Sequence, residues 1–301
     1  MSRPPRRQRF VLRREGARGT DAVAAGASAL LGRRRDRFRG FSFNRLIPNI
    51  LTMLGLCAGL IAVRFAFEGR WEPAMILIIV AGVIDGLDGR LARLLKVTSR
   101  FGAEFDSLSD FLSFGVAPAL ILHLWTLQNV RGLGFVPCLL FAVCMALRLA
   151  RFNAAIDPPP DAVPPPRAMQ NFFTGVPAPA GAGLALFPMF ASLAFEGWGF
   201  TGAAAALRHP AFVAPLLVVV ALLLVSTLPT WSIKKLQVPR QAVLPVLLGA
   251  AAFIALLFAE PWAALAGAGL VYGGLIPTAW RAHRRLIASE AAEAPRAAGD
   301  A

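Results

Sequence analysis

The chain has 301 residues, is 56% hydrophobic and carries a formal net charge of +14, with a mean hydropathy of +0.60. That balance excludes an ordinary soluble domain and makes membrane spans the first thing to seek. Residues 1–45 hold 13 arginines against Glu15, Asp21 and Asp36 but lack the interleaved aromatics of a nucleic-acid binder, so no nucleic-acid partner is expected.

This first segment predicts a basic, mostly disordered cytoplasmic tail that sets topology and touches anionic lipid headgroups. The first strongly apolar run begins near Ile47, too late for a secretory signal. A bilayer core of about 30 Å takes about 20 helical residues. Eight stretches qualify, at about 47–67, 72–95, 107–127, 133–152, 171–194, 211–229, 242–259 and 262–280. The predicted fold is all-α, a polytopic transmembrane helical bundle of about eight spans, with six or seven as the alternative. Asp157–Arg167 reads as a proline-rich connector of polyproline character. Cys57, Cys138 and Cys144 sit in apolar runs and predict buried thiols without disulfides. His123, His209 and His283 are far apart and suggest no metal site.

Basic residues recur on one side of this layout: Arg90, Arg93, Lys96 and Arg100, then Arg148, Arg151 and Arg167, then Lys234, Lys235 and Arg240, then Arg281, Arg284 and Arg285. The opposite loops hold Arg70, Arg131 and Arg208. The bias of positive loops toward the cytoplasm puts both termini inside.

Acids stand where lipid-facing residues should be. Pro73–Ile84 is apolar and runs into Asp85 with no turn signal. Twelve residues rise about 18 Å as helix, which places Asp85 about 10 Å short of the cytoplasmic surface. Asp88 follows at i+3, and Asp106 and Asp110 stand at i, i+4 at the head of the next apolar run. Intramembrane acids are costly and mark function by default. Four on neighbouring helices repel one another unless cations join them, and two divalent ions would balance the charge. Oxygen ligands suit Mg²⁺ or Mn²⁺, and such ions bridge phosphate oxygens. Gly82, Gly86, Gly89 and Gly102 allow a close backbone approach, and Arg93 is placed to hold a phosphate.

Asp85, Asp88, Gly89, Ala92, Arg93, Gly102, Asp106 and Asp110 keep every spacing of D-x-x-D-G-x-x-A-R-x8-G-x3-D-x3-D. This resembles the signature of the CDP-alcohol phosphotransferase family. The resemblance implies attack of an alcohol on the β-phosphate of a CDP-lipid with release of CMP, and it implies a catalytic core at 46–195. Further helices would occupy 196–281 and a cytoplasmic tail 282–301. By the same resemblance Asp85 and Asp106 are ligands of both metals, Asp88 of one, and Asp110 of the other and also the general base. Gly89, Arg93, Ser99 and Gly102, with Asn49 and Thr52 of the first span, would contact the CDP-lipid.

The segments IPNILTMLGLCAGL (47–60), FGAEFDSLSDFLSFGVAPAL (101–120), ALRLARFN (146–153) and FFTGVPAPAGA (172–182) are similar to membrane-integrated phosphatidylserine synthases within that family. Residues 211–280 match only as extra apolar spans. Phe111, where glycerol-phosphate relatives carry lysine, counts against that acceptor. The implied substrates are CDP-diacylglycerol and L-serine, in a homodimer embedded among lipids of a bacterial-type inner membrane, with the active site facing the cytoplasm. Arg148, Arg151 and Asn153 are the expected serine contacts, because arginine forks match carboxylates. Another acceptor (choline, inositol phosphate, glycerol phosphate), a metal or ion transporter, and a basic-tailed structural membrane protein are the competing readings.

Overall fold

A computed structural model describes residues 43–97, 99–155, 172–226, 228–231 and 242–299, and Ile47–Ala301 forms one packing unit. Helix α1, Phe43–Phe67, turns at Gly69 (φ 71°) into α2, Trp71–Leu94. α2 stops in a Schellman motif. Val97 N–H reaches the Ala92 carbonyl and Lys96 N–H the Arg93 carbonyl, with Lys96 left-handed at φ 53°. Ser99 then caps α3, Arg100–Asp110, its Oγ accepting from the Gly102 N–H at 3.0 Å.

α3 does not end at Asp110. It widens into a π-type turn over Phe111–Val116 and continues as α4, Ala117–Trp125. Pro118 has no N–H to give to the preceding turn, and the wider turn sits directly ahead of it. Next come α5, Val136–Ala154, then strand β1, Phe172–Thr174, and α6, Ala178–Gly197. α7, Thr201–Leu207, and α8, Pro210–Val225, form one rod bent by 49°. β2, Pro229–Trp231, pairs antiparallel with β1, Phe172 opposite Trp231. α9, Val243–Ala259, and α10, Pro261–Gly299, complete the order.

Each predicted span therefore has a helix, with corrected ends. The third begins near residue 100, because Ser99 supplies a cap. The fifth begins at Ala178, since Gly175 (φ 81°) and Pro177 break the chain and 172–174 pair as a ribbon. The sixth ends at Val225. Apart from that ribbon the regular structure of the described residues is helical, joined by turns and short connectors. Four helices are long and apolar enough to cross a bilayer, five when the bent pair counts as one span. The basic tail up to residue 42, the connector 157–167, and Lys234, Lys235 and Arg240 lie outside the described residues, as do the side chains of Phe173, His283, Arg284 and Arg285.

The protein is built for lipid. Phe258 on α9 is 86% exposed, and Ile50, Met53, Leu60 and Ile61 on α1 are exposed too, which water would not tolerate along whole helix faces. Lipid tails give helices no hydrophobic reason to associate, so small residues and close packing do. α6 shows this. Ala178, Gly181, Ala182 and Ala185 are buried, and a Cβ on Gly181 would lie 2.6 Å from Leu224 Cδ2 of α8. α5 packs along α8, and α6 against α10. Phe141, Met145, Ile121, Leu186 and Leu217 fill the centre. The α3–α4 rod is thereby held between α1 and α5.

Candidate active site

Two contacts seat α1 on the α3–α4 rod. Ser109 Oγ donates to the Thr52 carbonyl at 3.2 Å and Ser113 Oγ to the Gly55 carbonyl at 3.4 Å. Such bonds between membrane helices average about 0.6 kcal/mol, so they orient more than they hold. The hold comes from fit: a Cβ on Gly59 would meet Ser113 Oγ at 2.7 Å and its Cα at 3.0 Å. This pinch brings Thr52 against α2. Its hydroxyl donates to Asp88 Oδ2 at 2.7 Å, and Asp88 is only 3% exposed.

Asp85 and Asp88, one turn apart on α2, face Asp106 and Asp110, one turn apart on α3. Asp85, Asp88 and Asp106 each offer a carboxylate oxygen within 4.8 Å of the others. Asp110 lines the same small space as Asp85, close enough for the two carboxyls to feel one another's charge. All four line one small chamber with Thr52, Ser109 and Ser113. Carboxylates pack this closely only with a proton or cation between them. An all-oxygen set at this spacing fits hard divalent ions. The donor set lacks the sulfur or imidazole that would favour softer metals.

A polar cleft of about 280 Å³ opens beside the chamber. Asn49, Thr52, Gly89, Arg93, Ser99 and Gly102, the residues singled out in the sequence for the CDP-lipid, all line it, and Asp88 and Asp106 form the wall shared with the chamber. The glycines divide the work. A Cβ on Gly89 would meet nothing within 4 Å, so that position opens the cleft, whereas one on Gly102 would crowd Asn49 Oδ1 and Ser99 Oγ, each at 3.1 Å. Ser99 already caps α3, so its hydroxyl shapes the cleft wall as well as facing it.

The three residues expected to contact serine do not share one surroundings. Arg148 Nε donates to the Val176 carbonyl, and its guanidinium lies within electrostatic reach of Asp110, Tyr272 and Asp85 and of the like-charged Arg151. Arg151 reaches the end of α8 instead, Nη1 to the Val225 carbonyl at 2.9 Å and Nη2 to that of Ser226 at 3.2 Å. Asn153 Nδ2 donates to Ser107 Oγ at 2.9 Å and so ties α5 to the turn between Asp106 and Asp110. Ser107, Ser109, Ser113 and Gly59 escaped the sequence reading. The serines' signal was present as hydroxyls interleaved with Asp106 and Asp110 at the head of an apolar run, whereas Gly59 stands in the first span with no such mark.

Residues 45–207, more than half of the chain, match the family model described as CDP-alcohol phosphatidyltransferase. Residues 241–277 match a second, CDP-alcohol phosphatidyltransferase 2. This second match corrects the expectation that the latter part of the chain is merely extra apolar spans. A Mycobacterium tuberculosis protein named CDP-diacylglycerol--serine O-phosphatidyltransferase is 45% identical over 174 residues, 58% of this chain and 58% of that protein. A Helicobacter pylori protein of the same name is 37% identical over 137 residues, 46% of this chain and 54% of its own length. One from Methanocaldococcus jannaschii, again so named, is 36% identical over 145 residues, 47% of this chain and 60% of its own. The chain thus spans 54–60% of the length of these curated relatives. With the four aspartates of its motif in one chamber and more than half of its length matched by the family model, this integral membrane chain belongs to the CDP-alcohol phosphatidyltransferase family.

Proposed function

We propose that the protein transfers a phosphatidyl group from CDP-diacylglycerol to L-serine, giving phosphatidylserine and CMP. The observation that carries this reading is the wall of Asp88 and Asp106 common to the polar cleft and the carboxylate chamber. A cytidine nucleotide in the cleft would bring its diphosphate against those acids. The names of the relatives support serine as acceptor.

Two divalent cations, Mg²⁺ or Mn²⁺, would be held by Asp85 and Asp106 jointly, with Asp88 and Asp110 completing one site each. When bound they supply the positive charge that a diphosphate and four carboxylates need between them. Asp110 then takes the proton of the serine hydroxyl. The serine oxygen forms its bond to the phosphorus carrying diacylglycerol as the bond to CMP breaks, and CMP leaves. Direct displacement is favoured because the serines of the chamber are engaged with backbone carbonyls and, among the described residues, no histidine or cysteine lines it. Arg148 spends Nε on Val176, which leaves its Nη pair as a fork for the serine carboxylate. Arg151 and Asn153 support that pocket by holding α5 to α8 and to α3.

In this reading the chain crosses the membrane eight times, with α2, α9 and α10 as spans despite the acids of α2 and the shortness of α9. The core is 46–195, the added helices 196–281, and the tails 1–45 and 282–301 are cytoplasmic with the active site. The setting is a bacterial-type inner membrane, and the assembly a homodimer. CMP release from CDP-diacylglycerol by purified protein tests the reaction. Release should require serine and should fall by at least about 100-fold in Asp110→Asn, a general base's share. Serine-independent release, or an unaffected variant, would overturn the assignment.

A further inference from the structure

The turn from α2 into α3 carries two sets of side chains. One set, Arg93, Val97, Ser99 and Gly102, lines the polar cleft. The other set lies outside the cleft and mixes large apolar groups with cations. Leu94, the last residue of α2, is 78% exposed, and Phe101, in the first turn of α3, is 69% exposed. The Phe101 ring stacks on Phe105 one helical turn on, with centroids 6.0 Å apart. Arg90, Lys96 and Arg100 are exposed on the same stretch.

None of these three cations makes an ion pair among the described residues, and Glu104, the one exposed acid between residues 86 and 105, pairs with none of them. Lys96 holds the left-handed position that ends α2, at φ 53°, where glycine would sit without strain. A lysine kept there against its backbone preference points to a use for its charge. Apolar side chains and unpaired cations together suit the zone where lipid headgroups meet acyl chains. Depth agrees, because Leu94 stands nine residues beyond Asp85. Those residues rise about 14 Å as helix, which reaches headgroup level in the orientation proposed above. The N-terminal tail is no occupant for this surface, since residues 1–45 hold 13 arginines and would be repelled. Neutral headgroups would leave the three cations without counter-charge.

We infer that this turn is a docking surface for anionic phospholipid of the surrounding bilayer, separate from the substrate. Arg90, Lys96 and Arg100 meet the headgroups while Leu94 and Phe101 enter the acyl boundary. The inference rests on the membrane orientation given under the proposed function and not on the reaction. Val97, Ser99 and Gly102 belong to the same turn, so the lipid that grips it also steadies that wall of the cleft. The CDP-lipid should therefore bind better in an anionic bilayer than in a neutral one.

Phe101→Trp places a fluorophore on this surface. In vesicles the fluorescence it adds over wild type should be quenched by brominated phosphatidylglycerol with about fivefold preference over brominated phosphatidylcholine, the worth of one basic side chain at an anionic surface. The preference should vanish when Arg90→Gln, Lys96→Gln and Arg100→Gln are combined. It should survive the charge-preserving set Arg90→Lys, Lys96→Arg and Arg100→Lys. In phosphatidylcholine nanodiscs with a fixed fraction of CDP-diacylglycerol, added phosphatidylglycerol should lower the donor KM of the wild type severalfold and leave that of the glutamine variant unmoved. Equal quenching by the two lipids, a preference kept by the glutamine variant, or a wild-type KM that ignores phosphatidylglycerol would each overturn the inference. So would loss of the preference on adding inorganic phosphate at constant ionic strength, which would mark a site for free anions. Preferential quenching in protein that releases no CMP with serine would instead sink the proposed function and leave the docking surface standing.

Discussion

The Thr52 hydroxyl of α1 donates to Asp88 Oδ2 of α2 at 2.7 Å, and both residues are buried. Thr52 is also the residue whose carbonyl accepts from Ser109, between Asp106 and Asp110 on α3. One residue of α1 therefore aims a carboxylate on one helix and registers the helix bearing two others. Thr52→Val keeps the shape and removes the donor. It should lower kcat/KM by about tenfold and raise the Mg²⁺ concentration needed for half-activity, the usual cost of losing a partner behind a metal ligand. Thr52→Ser should restore most of both in a metal titration of CMP release.

Chelation should abolish activity, and Mg²⁺ or Mn²⁺ should restore it. The same ions should stabilise the fold, by about 2.7 kcal/mol at a hundred times the dissociation constant. In metal-free protein Asp106→Asn should melt higher than the wild type, because one charge leaves a crowded set. Addition of Mg²⁺ should reverse that order. Thermal unfolding in detergent, with and without metal, reads both effects.

Gly59 and Gly89 make a matched pair of substitutions. Gly59→Ala drives a methyl into Ser113 and should cost about 1–3 kcal/mol as α1 is pushed off the α3–α4 rod. Gly89→Ala meets nothing within 4 Å and should stabilise the helix by about 0.5–1 kcal/mol. Its KM for CDP-diacylglycerol should nevertheless rise, since the methyl enters the polar cleft. Melting temperature beside donor KM separates the two outcomes.

Arg148 and Arg151 should part in the same way. Arg148→Lys should raise the KM for serine with little change in that for the lipid donor, because a single ammonium cannot fork a carboxylate. Arg151→Lys should leave the serine KM near the wild-type value and lower the melting temperature, because it loses the paired bonds to Val225 and Ser226 at the end of α8. A serine KM that moves equally in both variants would remove the distinction.

Much of this was legible before any coordinates. Each of the eight apolar stretches fell on a helix, although only four helices, five with the bent pair, are long and apolar enough to cross a bilayer. The four aspartates were legible because charge there is costly and their spacing on two helices leaves one face in common. Helix ends were less so. Ser99 as a cap, Lys96 in a left-handed turn and Gly175 before α6 depend on local hydrogen bonds that hydropathy does not register.

Residue types and their spacing were enough to say which groups would have to meet: paired acids, open glycines and a basic residue within 26 positions, embedded in apolar helices. Which neighbours stand behind them followed from packing. Arg148 and Arg151 lie one turn apart on α5, yet one faces the carboxylates and the other clamps α8, because successive turns of a helix meet different neighbours. Tyr272 of α10 comes within electrostatic reach of Arg148 although more than 100 residues separate them along the chain. No periodicity encodes that approach, since it follows from how α10 packs on α6.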